Sequence, residues 1–312
     1  MGEEKSIPVW LHVLVLCLIA GAVLFAVVRL MLWNRGKEVD LSDIDEEAFD
    51  VEINDNIFLL GTEDLAGKKD DGRNTILFLG DDLITWDTGN AGIAGILGKK
   101  LSAEVVNAGF SGTTVALKNA EYDGEYTADL FSFSALAAEI AGGGDFTAQE
   151  TAAAGNEEYE RAVNALKNVD YDALDMLVVA YDASDYLNQR IGMNPDNETD
   201  PITYKGAMTG GLLAIKKRYP HIRLVVLSFP LCYGFDPSGE IHSGYILNYG
   251  HGRISDYWQH LYDACERCGV SFIDNLYGTI SESESGKYLS DNVHINGACA
   301  KHIAKHAAEK LR

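Results

Sequence analysis

The stretch Thr75–Leu83, Thr-Ile-Leu-Phe-Leu-Gly-Asp-Asp-Leu, is a short apolar run that stops at a glycine and two carboxylates. A run of this length between polar residues is typical of a strand that is buried on both faces of a parallel sheet. Helical spacing of apolar residues follows over 90–101. Because parallel α/β sheets bind ligands at the carboxyl ends of their strands, the segment Gly80–Leu83 is predicted to begin the active face.

Four further apolar runs predict strands of the same sheet, at 103–107, 175–181, 222–228 and 270–273. Helical patterns fill the intervals and the C-terminus, at 91–101, 129–140, 156–168, 205–219, 255–268 and 296–311. Strands separated by helix-length segments imply right-handed crossovers. The predicted fold class is therefore α/β, with a five-stranded parallel sheet in a three-layer α/β/α arrangement.

Composition and charge restrict the class of partner. The chain has 312 residues, 47% of them hydrophobic, which is enough for one sizeable domain. Its formal net charge of −22 argues against nucleic acid, whose phosphates attract Lys and Arg. The five cysteines are an odd number, and Cys17 lies in an apolar N-terminal segment, so no disulfide framework is predicted.

The N-terminal part of the chain is predicted to consist of three segments that precede the domain. Residues 1–8 form a short tail, and residues 9–33 are apolar over a length that suffices for a transmembrane helix. Residues 34–73 are rich in Asp and Glu and are interpreted as a solvated stalk, in which the apolar piece 57–60 is expected to pack on the domain. The domain itself is expected to span 74–312.

Polar residues follow the predicted strands at the points where these end. The second strand runs into the loop 107–112, the third into 181–185, and the segment 290–297 precedes the last helix. That segment places Asp291 three residues before His294. An Asp and a His at this spacing in one loop are able to hydrogen-bond, which fixes the imidazole tautomer and raises its basicity.

These blocks make the chain resemble the SGNH or GDSL hydrolases over most of 74–312. That family has a flavodoxin-like sheet and four blocks in order: Gly-Asp-Ser-Leu after the first strand, a loop glycine, Gly-x-Asn-Asp, and Asp-x-x-His before the last helix. Here they are matched by Gly80–Leu83, Asn107–Gly112, Asp182–Asp185 and Asp291–His294. Sequence segments such as 274–280 are similar to those of a membrane-anchored bacterial branch of the family. This resemblance implies that the soluble domain lies outside the cell.

The resemblance implies a role for each matching residue. His294 would be the general base, Asp291 its orienting partner, and the backbone N–H of Gly109 a donor to the oxyanion. Asp82 stands at the position of the nucleophilic serine and Ser184 at that of the oxyanion-hole asparagine. The neighbouring polar residues expected to bind substrate are Asp81, Asn107, Asp182 and Asp185. Neither a metal nor another cofactor is implied. The expected substrate is a small ester or an acylated carbohydrate.

The replacement of serine by Asp82 changes the chemistry that is expected. A carboxylate has no proton to give, and its attack on an ester would form an anhydride, so the ordinary serine route is blocked. One route survives, in which His294 and Asp291 activate a water molecule and the oxyanion donors hold the intermediate. Asp82 beside His294 would also raise the pKa of the imidazole and weaken it as a base. Weak, altered or lost esterase activity is therefore predicted.

Other interpretations of the same residues stay open. Asp82 could cap the following helix, Gly109 could serve a turn, and Ser111 and Thr113 are alternative nucleophiles. A catalytically degenerate domain could bind a glycan in a cleft lined by the aromatic segments 229–235 and 245–257. A metal site built from carboxylates and imidazole is a third alternative, formed by Asp81, Asp82, Asp291 and His294.

The orientation of the membrane segment is the least constrained expectation. Arg29, Arg35 and Lys37 follow or end the apolar run, whereas Lys5 alone precedes it, and the positive-inside rule would place the domain in the cytoplasm. The resemblance favours the extracellular side instead. We expect a reporter that needs export, fused after Arg312, to be active; a reporter active only in the cytoplasm would reverse the assignment.

Overall fold

The structure is a computed structural model that describes Trp10, Ile19, residues 21–25, 53–277 and 279–312. The described residues of the predicted transmembrane helix are helical, but most of 9–33, and the stalk up to residue 52, lie outside the described residues. Among the residues that are described, no helix has both the length and the apolar character needed to cross a membrane. The chain divides into two compact units, 1–50 and 51–312, and the second contains the features below.

The second unit contains the predicted parallel sheet. The strands are β1 Thr75–Gly80, β2 Glu104–Gly109, β3 Met176–Ala180, β4 Arg223–Leu227, β5 Tyr233–Phe235, β6 Ile241–Ser243 and β7 Ser271–Ile273. Five of them form a parallel sheet in the order β2-β1-β3-β4-β7, as the apolar runs predicted. Strands β5 and β6 form a separate antiparallel pair. With three residues each, they are too short to leave an alternating pattern in the sequence.

Helices cover the sheet in two groups. They are α1 Asp82–Thr85, α2 Ile93–Leu101, α3 Phe133–Gly142, α4 Thr147–Ala153, α5 Glu157–Lys167, α6 Ser184–Leu187, α7 Tyr204–Arg218, α8 Ile254–Cys268, α9 Ser285–Tyr288 and α10 Gly297–Leu311. Short 3-10 helices occur at Asp64–Gly67, Thr127–Phe131 and Glu282–Glu284. Helix α7 packs on α3 and α8, whereas α2 packs on α10. The predicted three-layer α/β/α arrangement is confirmed.

The core lies between the sheet and the helices. Strand β3 is buried at all of its positions, as expected for a central parallel strand covered on both faces. Polar side chains cap the N-termini of helices around the core. The Ser132 hydroxyl accepts from the amide of Ala135 at the start of α3, and Asn296 Oδ1 accepts from the amides of Ala298 and Cys299 at the start of α10. The described cysteines are buried and unpaired, which agrees with a packing role.

Residues 53–73, which belong to the predicted stalk, contact the domain closely. Asn56 and Phe272 exchange two backbone hydrogen bonds of 2.9 and 2.7 Å, so this segment pairs with strand β7. The buried carboxylate of Asp55 accepts from the backbone amide of Asp274 at 2.8 Å and forms ion pairs with His306 and Lys310 of α10, each at 3.0 Å. Within the apolar piece 57–60, Ile57 packs against the core and the amide of Phe58 donates to Ser271 Oγ at 3.0 Å, whereas Leu59 is exposed, so the expected packing holds for part of the piece.

Candidate active site

The site lies where strands β1, β2 and β3 end. Gly80 is in register with Gly109 of β2 and Ala180 of β3, so the loops that follow the three strands leave the sheet at one level. The approach is close: a Cβ atom on Gly80 would lie 2.0 Å from the carbonyl oxygen of Ala180. This register brings the predicted polar blocks together, since carboxyl ends of parallel strands share one edge.

Asp81 joins the first and third of these loops from inside the protein. Its side chain is fully buried, and its Oδ1 accepts from the amides of Leu83 at 3.1 Å and Asp182 at 2.9 Å. Its Oδ2 lies 2.8 Å from the hydroxyl of Ser184. All these partners belong to the chain itself, so Asp81 holds the site together and is not exposed to a ligand.

The chain of contacts between Asp81, Ser184 and Asp182 needs one proton in addition to that of the hydroxyl. The Ser184 hydroxyl contacts Oδ2 of Asp81 and also Oδ1 of Asp182, but a hydroxyl has only one proton to donate. Burial raises the pKa of Asp81 well above its usual range, and the charge of Asp182 raises it further. Burial also raises the pKa of Asp182, against the hydrogen bonds that it accepts from Asp81 and Ser184. A proton on Asp81, with the Ser184 hydroxyl donated to Asp182, satisfies all three groups.

His294 and Asp291 form the hydrogen-bonded pair that their spacing predicted. Nδ1 of His294 lies 2.7 Å from Oδ2 of Asp291, while Oδ1 of Asp291 accepts from the amides of Val293 and His294, both at 2.7 Å. The amide of Ser290 donates to the carbonyl of His294 at 2.8 Å and so joins the two ends of the loop. The carboxylate is therefore fixed by backbone donors, and it fixes the ring in turn.

The pKa values of this pair shift in opposite directions. The hydrogen bond that the His294 ring donates to Asp291 raises the pKa of His294 against its partial burial, and the charges of Asp291, Asp182 and Asp82 raise it further. Burial would raise the pKa of Asp291, but the amide and ring of His294 and the amide of Val293 outweigh it and hold the value at about 2. The imidazole therefore favours its charged form more than an isolated histidine does.

Asp82 lies beside His294, as the sequence predicted, and it is engaged by a backbone amide. It is the first residue of α1, and its Oδ2 accepts from the N–H of Gly112 at 2.6 Å. One carboxylate oxygen of Asp82, one of Asp182 and a ring nitrogen of His294 lie within 4.8 Å of one another. Since Asp291 occupies Nδ1, the nitrogen left to these carboxylates is Nε2.

The residues grouped here differ from the metal-binding set considered in the sequence. Asp81 is fully buried among protein donors, and Asp291 is bonded to His294, so neither offers a free ligand atom to an ion beside Asp82. Asp82, Asp182 and His294 are close enough to surround a cation. Asp82 already accepts the Gly112 amide, however, and the raised pKa of His294 favours imidazolium, which binds no metal.

Gly112, and not Gly109, presents its amide to the site. The N–H of Gly109 donates to Asn107 Oδ1 at 3.1 Å, and a Cβ there would meet Thr85 Cγ2 at 2.5 Å. The predicted oxyanion role of Gly109 is therefore replaced by close packing against α1. Gly112 has φ +73°, a conformation that glycine adopts readily, and a second glycine in this loop is the one signal in the sequence that pointed to it.

The other predicted binding residues bond to the loops of the protein. Asn107 donates from Nδ2 to the carbonyl of Ile84 at 3.0 Å. Asp185 is buried and accepts from the amides of Val115 and Ala116 at 2.7 and 2.9 Å, although burial raises its pKa to about 7. The hydroxyl of Thr113, an alternative nucleophile, donates to the carbonyl of Phe110 at 2.8 Å. These contacts shape the loops and engage each of these polar groups within the protein.

The two aromatic segments have different surroundings. Tyr233 of β5 donates its amide to the carbonyl of Asn292 at 2.7 Å, and a cleft of about 440 Å³ next to it is lined by Tyr233, Ile241, Leu289 and Asp291. Tyr257 of the second segment is buried and packs on other aromatic rings in the core. The first segment thus contributes Tyr233 to a cleft beside the His294 loop.

Comparisons with known proteins identify the fold. No protein-family model and no curated protein matches the chain. One solved structure is 21% identical with a TM-score of 0.55 and covers 78% of this chain and 98% of its own. A protein from Lactobacillus plantarum is 18% identical with a TM-score of 0.53, and the match covers 77% of this chain and 96% of that protein's chain. A carbohydrate acetylesterase from Sinorhizobium meliloti is 14% identical with a TM-score of 0.44, and the match covers 77% of this chain and 98% of that protein's chain.

Other matching structures carry the names of GDSL-like lipases and of esterases. The two structures with TM-scores above 0.5 show that the α/β fold predicted from the sequence also occurs in other solved proteins. The names of the other matches agree with the resemblance to the SGNH/GDSL hydrolases stated from the sequence. The membrane-anchored branch and a catalytic meaning of Asp82 at the serine position stay predictions.

The proton on Asp81 predicts how stability depends on pH. A carboxyl group whose pKa is raised on folding contributes stability below its unfolded pKa of about 4 and loses it as the pH rises toward the folded value. Asp81→Asn keeps an oxygen acceptor and an N–H donor toward Ser184 without titrating. We expect the free energy of unfolding of the variant, relative to wild type, to improve with rising pH by at most about 1.4 kcal/mol per unit.

Urea titrations at about pH 4.5 and about pH 6.5 would measure this difference. Asp123→Asn, at an exposed loop position, is the matched control and should show the same difference from wild type at both values. If Asp81→Asn also kept a constant difference, Asp81 would not be the group that holds the proton.

Proposed function

We propose that the domain hydrolyses small esters, such as O-acetyl groups on carbohydrate, by direct attack of water. The observation that carries this proposal is the 2.7 Å pair of His294 and Asp291 beside the amide of Gly112, on strand ends of an SGNH-type sheet. The pair supplies a general base with a fixed tautomer, and the amide supplies a donor for the oxyanion. A nucleophilic side chain is not required.

In this mechanism His294 takes a proton from water at Nε2 while the water oxygen attacks the ester carbonyl. The resulting oxyanion is held by the N–H of Gly112. The tetrahedral intermediate then collapses, and the leaving alcohol takes the proton from His294, which returns to the neutral base. Asp291 stabilises the imidazolium between the two steps.

Asp82 slows this reaction in the resting protein for two reasons. Its carboxylate occupies the amide of Gly112, so the substrate oxygen has to displace an internal anion. Its charge also contributes to the raised pKa of His294, which reduces the fraction of neutral imidazole near pH 7. Both effects point to a low specific activity.

Hydrolysis of a small acetyl ester by the purified chain should depend on His294 and on pH. Since only neutral His294 accepts a proton, and its pKa is raised above the usual 6.5, kcat should increase with pH through a value above 6.5. His294→Ala should abolish turnover. Asp291→Asn should lower kcat by about 10³-fold or more because it removes the orienting carboxylate.

A kcat that falls as the pH rises would contradict a neutral imidazole base. Activity that persists in His294→Ala would contradict the assigned site. His242→Ala, which alters a histidine on the β5–β6 hairpin paired with Asp236, is the control for nonspecific effects of losing an imidazole.

Asp82→Ser should increase the activity. The change frees the Gly112 amide for the substrate, and a single oxyanion donor is worth about 10²-fold in kcat. It also supplies a hydroxyl at the nucleophile position. Asp87→Ser, a change of the same kind that does not touch Gly112, should leave kcat/KM unaltered. Equal activities of Asp82→Ser and wild type, both folded, would show that Asp82 does not restrain the site.

A second candidate function is binding without turnover. The bond between Asp82 and Gly112 favours it, because the donor that a hydrolase offers to its substrate is already satisfied. The ligand would then be a glycan or an acylated cell-wall polymer in the cleft beside Tyr233, with the chain held at the cell surface by residues 9–33. Failure of both wild type and Asp82→Ser to hydrolyse esters, with measurable glycan affinity lost in Tyr233→Ala, would favour this candidate.

A further inference from the structure

We propose that Tyr159 is a positioning residue that aims the N–H of Gly112 into the site. The inference deepens the proposed function, on which its kinetic consequence rests, whereas its structural consequence is independent of any activity. Tyr159 lies in the first turn of α5, far from the strand ends in the sequence, and none of the blocks of the family includes it.

The argument starts from one peptide group. The carbonyl of Ser111 and the N–H of Gly112 belong to the same planar, trans peptide unit, so they point in opposite directions. The hydroxyl of Tyr159 donates to the Ser111 carbonyl at 2.6 Å, and the N–H at the other end donates to Asp82 at 2.6 Å. A bond that fixes the carbonyl therefore fixes the direction of the amide.

The same bond strengthens the amide as a donor. A hydrogen bond accepted by a carbonyl polarises its peptide unit, and chains of hydrogen bonds reinforce one another in a weakly polar environment. Here the chain runs from the Tyr159 hydroxyl through the peptide to the anion at Asp82. If a substrate oxyanion replaces that carboxylate, it receives the same polarised donor.

Tyr159 is held rigidly enough to serve this role. Its ring packs edge-on against Phe131 at 4.6 Å and Phe110 at 5.2 Å between centroids. Its amide donates to the capping side chain of Asn156 at 3.3 Å. Burial raises the pKa of Tyr159 to about 12, with help from the charges of Glu158 and Asp82, so the hydroxyl keeps its proton across the physiological range.

The preceding residue of α5 secures the other side of the loop. Oε1 of Glu158 accepts from the amide of Ser111 at 3.0 Å and from its hydroxyl at 2.8 Å. The hydroxyl of Ser111 also lies 2.7 Å from that of Thr85, in the short helix that begins with Asp82. Ser111 is thus occupied as a loop anchor, and Tyr159 acts on a peptide whose neighbour is already fixed.

The structural consequence is measurable on the Gly112 amide itself. Labelling the full chain with carbonyl-¹³C serine and ¹⁵N glycine gives signals only from Ser-Gly pairs, which are 111–112, 238–239, 243–244 and 285–286. The Gly112 signal is the one that Asp82→Asn shifts. Its proton should resonate downfield in wild type, because its bond to a carboxylate is short and charge-assisted.

Tyr159→Phe keeps the ring packing and removes the hydroxyl. We expect it to move the Gly112 amide proton upfield while the other three signals stay in place. Tyr171→Phe is the matched control, because its hydroxyl also donates to a backbone carbonyl, that of Leu166 at 3.2 Å, before strand β3 and away from the site. An unaltered Gly112 signal in folded Tyr159→Phe would overturn the proposal.

The kinetic consequence is tested in the Asp82→Ser background. Tyr159→Phe should lower kcat by about 10-fold, less than the 10²-fold cost of a whole donor, and leave KM nearly constant, since the loss falls on the transition state. An unaltered kcat with a shifted Gly112 signal would overturn the contribution to catalysis. If Asp82→Ser shows no turnover at all, the proposed hydrolysis fails, and the amide signal alone decides whether Tyr159 positions Gly112.

Discussion

The buried carboxyl group of Asp81 is the contact on which the geometry of the site depends. Parallel strands deliver their loops to one edge of the sheet, but they do not fix how those loops sit against one another. Asp81 fixes this for β1 and β3 by accepting two backbone amides and contacting the Ser184 hydroxyl. Since buried polar groups are costly when unpaired, this network has few alternative arrangements.

Around this network the site combines features of a hydrolase with an internal anion. In the proposed mechanism the pair of His294 and Asp291 is the general base, and the amide of Gly112 is the donor to the negative charge that develops on the substrate. Asp82 contacts that amide and lies close to the ring of His294. The Asp82 carboxylate thus satisfies the Gly112 amide and favours the charged form of His294, so one side chain acts on both groups of the proposed mechanism.

The sequence predicted the parts of the fold and site that periodicity and local spacing determine. Apolar runs located the five strands, and the three-residue spacing of Asp291 and His294 predicted their hydrogen bond. The choice between Gly109 and Gly112 could not be made, because the direction of an amide depends on a peptide plane and not on residue identity. The sequence did not indicate Tyr159, because its hydrogen-bond partner is a backbone carbonyl and such a contact does not depend on the identity of the partner residue.

The segment that looked like a solvated stalk was hard to interpret for a related reason. Its acidic composition indicated exposure, yet the side chain of Asp55 is only 6% exposed and contacts His306, Lys310 and a backbone amide. Pairing of Asn56 with Phe272 covers the outer edge of strand β7. A shortened protein that begins at residue 74 would leave that edge with unpaired amides and carbonyls, a surface on which a second molecule could add its own strand. Residues 53–73 thus oppose self-association by covering the outer edge of β7.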